Sequence, residues 1–156
     1  MHKIVIIRIA GKQGLNEEIK PTFKLLRLYK KYNCVVVPNN QKYHGMIKKI
    51  KDFSTWGEIN NKTFKSLLEK RGKLAGNKLL TEEYLKEKTK MNLDQFTEEF
   101  IKGKKELKDI PGLKLFFRLR PPVGGFERKG TKKSFSIGGV LGYRKDKINE
   151  LIQRMI

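Results

Sequence analysis

The sequence predicts an α+β fold, and three observations predict it. Short β-branched apolar runs alternate with amphipathic helical patterns through residues 1–60. Capping residues and carboxylates gather between 61 and 110, and a glycine-rich basic stretch at 123–142 precedes one last amphipathic segment. Together these give a β-α-β-α-β module with a three-stranded sheet and two helices over residues 1–60, followed by a mainly helical extension over 61–156. Within the extension, short helices occupy 61–110, a strand and a long basic loop occupy 111–144, and a helix occupies 145–156. A chain of 156 residues suffices for one domain with an appended lobe, and folding buries roughly 68 to 70% of its unfolded surface.

The elements follow in order. Residues 2–10 (HKIVIIRIA) are apolar and β-branched and end at the turn residues Gly11 and Gly14, which marks a buried strand. A helix starts near Pro21, with Asn16, Glu17 and Glu18 ahead of it at the positive end of the helix dipole. Phe23, Leu26 and Tyr29, with Leu25 and Leu28 beside them, form its apolar face. Asn33 to Pro38 repeats the strand pattern, and after a polar loop (NNQKYH) a second helix runs from about Gly45 to Phe53 on Met46, Ile47, Ile50 and Phe53. Ser54 to Ile59 closes the unit as a short strand. Two helices on one face of a three-stranded sheet form a layer related to the ferredoxin-like fold.

Beyond residue 60, Asn60 or Asn61, Thr81 and Asn92 read as N-caps, and Gly72 and Gly103 as C-terminal glycines. LKLFFRL at 113–119 reads as a strand ended by Pro121-Pro122. The closing helix places Ile148, Leu151, Ile152 and Met155 at i, i+3, i+4 and i+7, a spacing that docks on the core.

The formal net charge is +20, and it is unevenly placed. Residues 1–60 hold 12 Lys/Arg against 4 Asp/Glu, 61–110 hold 13 against 9, and 111–156 hold 11 against 3. Two strongly basic ends flank a nearly balanced middle, so the ends read as surfaces for a polyanion and nucleic acid is the partner class indicated. Nine Phe, five Tyr and periodic aliphatic runs argue against general disorder, and only the basic stretch near residue 125 reads as locally disordered in the free protein. The run Ile4 to Ile7 is cut by Arg8 and is too short for a signal-peptide core or a membrane span; a soluble, cytoplasmic protein without a membrane partner is expected.

Enzyme chemistry finds little purchase. There is no H-E-x-x-H, no cysteine pair and no Walker loop, so no metal, cofactor or small-molecule substrate is indicated. Cys34, inside CVVVP, reads as a buried thiol. Gly11-Lys12-Gln13-Gly14 has the G-x-x-G spacing of loops that clasp a sugar-phosphate backbone, and it also reads as an ordinary turn. Tyr43-His44 could stack on a base or simply pack at a helix start, while Trp56 reads as core or edge packing in preference to stacking. Arg118 to Lys147 carries the sharpest signal. Nine basic residues there interleave with Phe126, Phe135 and Tyr143 and with six glycines between Gly124 and Gly142. Arg forks grip phosphate, glycine permits close backbone approach, and rings stack on unpaired bases.

The segments IVIIRIAG, TFKLLRLYKKYNCVVVPN, YHGMIKKIKDFSTWGEI, LLEKRGKL, FRLRPPVGGFERKG and FSIGGVLGYRKDKINELIQRMI span nearly the whole chain. In combination they resemble the family of the large-subunit ribosomal protein numbered thirty in the bacterial scheme, in its long archaeal form, related to the eukaryotic protein numbered seven. The resemblance implies a structural, non-catalytic protein that binds large-subunit rRNA near 5S rRNA and beside other large-subunit proteins. It implies also that the short bacterial module ends near residue 60.

On this reading the RNA-facing residues are Lys12, Lys20, Arg27, Lys31, His44, Lys48, Lys49, Arg71, Arg118, Arg120, Arg128, Lys132, Lys133 and Arg144. Two other classes compete with it. One is a small enzyme acting on phosphorylated or nucleic-acid substrates with His44 as base, and the other is a stand-alone, sequence-specific RNA-binding regulator.

Overall fold

The computed structural model describes residues 2–156. One sheet runs through it, built from β1 (Lys3–Arg8), β2 (Asn33–Pro38), β3 (Ser54–Glu58), β4 (Phe117–Arg118) and β5 (Gly142–Tyr143) in the order β4-β2-β1-β3-β5. β1 lies at the centre, antiparallel to both neighbours, with Val5 opposite Val36 on one side and Gly57 on the other. The three strands expected from residues 1–60 thus gain a two-residue strand at each edge, both supplied by the extension; β4 joins β2 antiparallel and β5 joins β3 parallel.

The apolar runs are continuous because each face of the sheet is covered. On one face Ile4, Ile6, Val35 and Val37 pack against α1 (Lys20–Leu25) and α2 (Gln41–Ile50) through Phe23, Ile47 and Ile50. On the other, Val5, Ile7, Cys34 and Val36 meet α3 (Asn61–Arg71), α5 (Leu93–Ile101) and α6 (Ile148–Met155) through Phe64, Leu67, Phe96, Phe100, Leu151 and Ile152. α4 (Glu82–Thr89) adds Leu85 to this second core. The change of chain region at residue 60 is therefore a change of sheet face. No helix of the described residues is long and apolar enough to cross a membrane.

Caps place the helices. Asn60 accepts from the Thr63 N–H at 2.8 Å, Thr81 from Tyr84 at 3.3 Å, and Asn92 and Gln95 form a reciprocal capping box. Gly103 takes φ 81 beyond α5, whereas Gly72 ends α3 at φ −64 and is required for another reason: a Cβ there would lie 2.4 Å from the Leu68 carbonyl oxygen.

Four boundaries differ from expectation. α2 begins at Gln41, inside the segment expected as a loop, because the Asn40 side chain accepts from the Tyr43 N–H at 3.0 Å. α1 stops at Leu25, since Arg27 takes φ 59 and turns the chain so that Leu28 is buried while Leu25 and Tyr29 are exposed. The strand expected at 113–119 shrinks to Phe117–Arg118, because Lys114 N–H is already bound to the Lys73 carbonyl. The final helix is α-helical from Ile148, after a 3₁₀ turn over Lys145–Lys147.

The register of that last region is fixed by Gly57. A Cβ there would come within 2.2 Å of the Lys145 carbonyl oxygen, so β3 and the 3₁₀ turn can approach only across a bare backbone. Leu151 sits 1% exposed in the second core. Leu151→Ala is expected to cost about 2 to 5 kcal/mol in denaturant unfolding; a loss well below 1 kcal/mol would show that α6 is not docked.

Candidate nucleic-acid interface

The two basic ends of the chain meet at one corner of the sheet. Arg118 lies opposite Asn33 in the β2–β4 register, and the Leu119 N–H donates to the Tyr32 carbonyl at 3.1 Å, so Arg118 and Arg120 emerge beside Lys31. The Lys31 ammonium lies 5.0 Å from the centroid of the Tyr32 ring, which in turn packs at 6.0 Å on Phe126, two residues before Arg128. Lys31, Arg118, Arg120 and Arg128 are all exposed. Arg71, in the last turn of α3, joins them. Its Nε is buried without an acceptor among the described residues, and its pKa is lowered by burial and then by the nearby positive charge of Arg120.

The far half of the basic loop folds back on itself through backbone hydrogen bonds. The Gly139 and Val140 N–H groups donate to the carbonyls of Ser134 and Lys133 at 2.8 and 2.9 Å, and a Cβ on Gly139 would strike the Lys133 carbonyl at 2.2 Å. Lys132 and Lys133 are displayed on the exposed side of this turn. Arg144 anchors it. The guanidinium is 3% exposed and forms a two-pronged ion pair with Glu127, donates to Thr55 Oγ1 at 2.9 Å and to the Val140 carbonyl at 2.9 Å, and lies 4.7 Å from the Phe135 ring centroid. With its fork committed inside the protein, Arg144 leaves the set of phosphate-facing candidates and becomes the post on which the loop is hung.

A second group surrounds the N-terminal turn. Lys12 is exposed on the Gly11–Gly14 turn, and Gly14 takes φ 74. Lys20 is exposed and ion-paired with Glu17, and Arg27 is exposed at its left-handed position. On α2, His44 and Lys48 stand one turn apart on the solvent side with Lys49 exposed beside them; His44 Nε2 pairs with Asn39 Oδ1. These α2 residues neighbour α1 and are not drawn into the corner formed by Lys31 and Arg118.

Two side chains that pattern reasoning passed over hold the site together. Arg8, read only as a break in an apolar run, is 3% exposed and donates to the carbonyls of Ala10, Leu28 and Gly11 at 2.9, 2.7 and 3.0 Å, tying the turn and the end of α1 to β1. A charged residue inside an otherwise unbroken buried strand was the available signal. Arg154 is the other, donating to the Gly125 carbonyl at 2.7 Å and so pinning the start of the basic loop to α6. Trp56 is half-buried and stacks on the exposed Tyr143 at 6.5 Å, while the Tyr143 hydroxyl donates to Glu58, which raises its pKa to about 12. Cys34 is fully buried and its thiol pKa is pushed far up, leaving it unreactive as a nucleophile. No group of three His, Cys, Asp or Glu able to hold a metal ion occurs among the described residues.

The family described as ribosomal protein L30p/L7e matches residues 4–53. Over 151 residues, covering 97% of both chains, the sequence is 50% identical to the large ribosomal subunit protein uL30 of Methanococcus vannielii and 48% identical to that of Methanococcus maripaludis. The uL30 of Nanoarchaeum equitans is 46% identical over the same coverage.

The Arg144–Glu127 pair carries a pH signature. Burial alone would raise the Glu127 pKa, but the hydrogen bonds and charge of Arg144 outweigh it and hold the carboxyl below its ordinary value. The stabilisation is thus complete above the unfolded pKa of about 4.3 and is lost as pH falls through the lower folded value. The melting-temperature difference between wild type and Glu127→Gln is expected to stay constant from pH 7 to about 5 and to shrink below about 4. A difference unchanged down to about pH 2 would contradict this.

Proposed function

The chain belongs to the L30p/L7e family of ribosomal proteins, and on that premise we infer that it is a structural constituent of the large ribosomal subunit. It binds and stabilises large-subunit rRNA by neutralising closely packed phosphates, working on the cytoplasmic ribosome as a non-enzymatic part of a ribonucleoprotein. Its partners are that rRNA and neighbouring large-subunit proteins, and 5S rRNA is the finer assignment proposed for the same surface.

One observation carries the reading. Among the described residues none of the ion pairs involves Lys12, Arg27, Lys31, Lys48, Lys49, Arg118, Arg120, Arg128, Lys132 or Lys133, although all ten are exposed. Carboxylates are abundant only on the helices of residues 61–110, where Lys65–Asp94 and Lys86–Glu82 pair. Charges left open on one part of a protein and balanced on another favour an external polyanion on the open part. The aromatic rings of Tyr32 and Phe126 beside Lys31 and Arg128 suit RNA, whose unpaired bases offer faces to stack on. His44 lacks the second catalytic group an enzyme needs, its ring partner being the amide of Asn39.

Sucrose-gradient fractionation of native lysate is expected to place the protein with the large subunit, and high salt to strip it off. Protein at the top of the low-salt gradient would overturn the reading. On purified rRNA, Arg118→Ala and Arg128→Ala should each weaken binding about equally for all RNA sequences, and His44→Ala should change it modestly. Binding that survives competition by bulk rRNA fragments through preference for one isolated hairpin would instead favour the regulator.

A further inference from the structure

We propose that the cavity between the end of β1, the Gly11–Gly14 turn and α1 receives one unstacked nucleotide of the bound RNA. The proposal rests on the RNA-binding reading above and specifies what a part of that surface recognises.

The cavity encloses about 400 Å³, within the range of small-molecule sites at about 300 to 1,000 Å³. Leu15, Phe23 and Leu28 give it apolar walls, and the Tyr29 ring stands at its mouth. Tyr29 is 43% exposed, and its ring meets that of Phe116 edge to face at 5.4 Å, so an exposed aromatic ring borders the cavity. Lys12, Lys20 and Lys24 form the rim, and no carboxylate lines the cavity; Glu17 reaches only Lys20, leaving Lys12 and Lys24 without ion pairs among the described residues.

Arg8 adds the decisive charge. Its guanidinium lies in the cavity wall, 4.2 Å from the centroid of the Phe23 ring, and its bonds all go to backbone carbonyls. Carbonyls satisfy its N–H groups without cancelling its charge, so the wall of an apolar hole carries a buried cation that an anion at the mouth would balance. An apolar slot with an aromatic lip, a cationic wall and a lysine rim matches a flat heterocycle attached to a phosphodiester: the base enters, stacks and is desolvated, and its phosphate stays at the rim. The cavity beside the outer edge of β2 makes the contrast. It is smaller, about 180 Å³, and sets Glu106 among Lys3, Arg27 and Lys108, so a carboxylate already answers part of its positive charge.

The test is chemical probing of large-subunit rRNA bound by the full chain, using base-directed reagents and 2′-hydroxyl acylation. Wild type is compared with Tyr29→Ala, which removes the stacking ring, and Leu15→Trp, which fills the cavity; neither changes the charge. In the wild-type complex at least one unpaired base is expected to be protected. Both variants should restore its modification, and Tyr29→Ala should weaken RNA binding about 5- to 100-fold with the salt slope unchanged, the size of one lost stacking contact. Should Leu15→Trp fail to fold, Tyr29→Ala carries the test alone, its ring being on the surface. Equal affinity and identical base reactivity for wild type and Tyr29→Ala would overturn the pocket assignment while leaving the RNA reading intact, and a cavity filled only when another ribosomal protein is added would overturn it likewise. Failure of wild type to bind rRNA at all would sink both.

Discussion

The outward charge of this protein is held in place by a guanidinium turned inward. Arg144 joins Glu127, Thr55, the Val140 carbonyl and the Phe135 ring, and in doing so fastens a loop rich in glycine and lysine to β3. Such a loop has little apolar surface with which to fix itself, and its conformational entropy favours many shapes. A buried pair whose partners depend on each other supplies the missing constraint, since removing one partner strands the other at a cost of about 3 to 5 kcal/mol. Arg8 does the same for the N-terminal turn, with carbonyls in place of a carboxylate. Two internal arginines thus position the loops that carry Lys12, Arg128, Lys132 and Lys133.

The sheet supplies the rest of the geometry. β1 is buried on both faces, so the chain must provide two helical layers, and it does so in sequence order, first with α1 and α2 and then with α3, α5 and α6. The second layer carries most of the carboxylates, with Glu82, Glu98 and Asp94 on its helices. The first layer and the basic loop hold the surplus of positive charge, and β4 and β5 bring the late residues back to the edges of the early strands. Folding thereby brings Lys31 from the early part of the sequence beside Arg118 and Arg120 from the late part.

Much of this was legible in the sequence. The three central strands, the caps at Asn60, Thr81 and Asn92, and the docking face of α6 follow from local rules of periodicity and capping that tertiary contacts here reinforce. Reach failed where a single backbone conformation or a contact distant in sequence decided the outcome. Arg27 in the left-handed region ends α1 before its apolar pattern does, and Lys73 claims the backbone of a segment patterned as a strand. The same holds for the interface: Lys31, Arg118 and Arg128 were readable as exposed cations, but Arg144 could be separated from them only once Glu127, 17 positions away, was seen against it. Residue type announces a charge; its neighbours in space decide whether that charge is spent inside or offered outside.

Phosphate neutralisation has one direct thermodynamic readout, the release of counterions from RNA. If about eight of the open cations touch phosphate together, the logarithm of the binding constant for large-subunit rRNA falls against the logarithm of salt concentration with a slope of about −6 to −7. A slope near −1 would show that these side chains do not meet the RNA backbone, and the electrostatic account would fail.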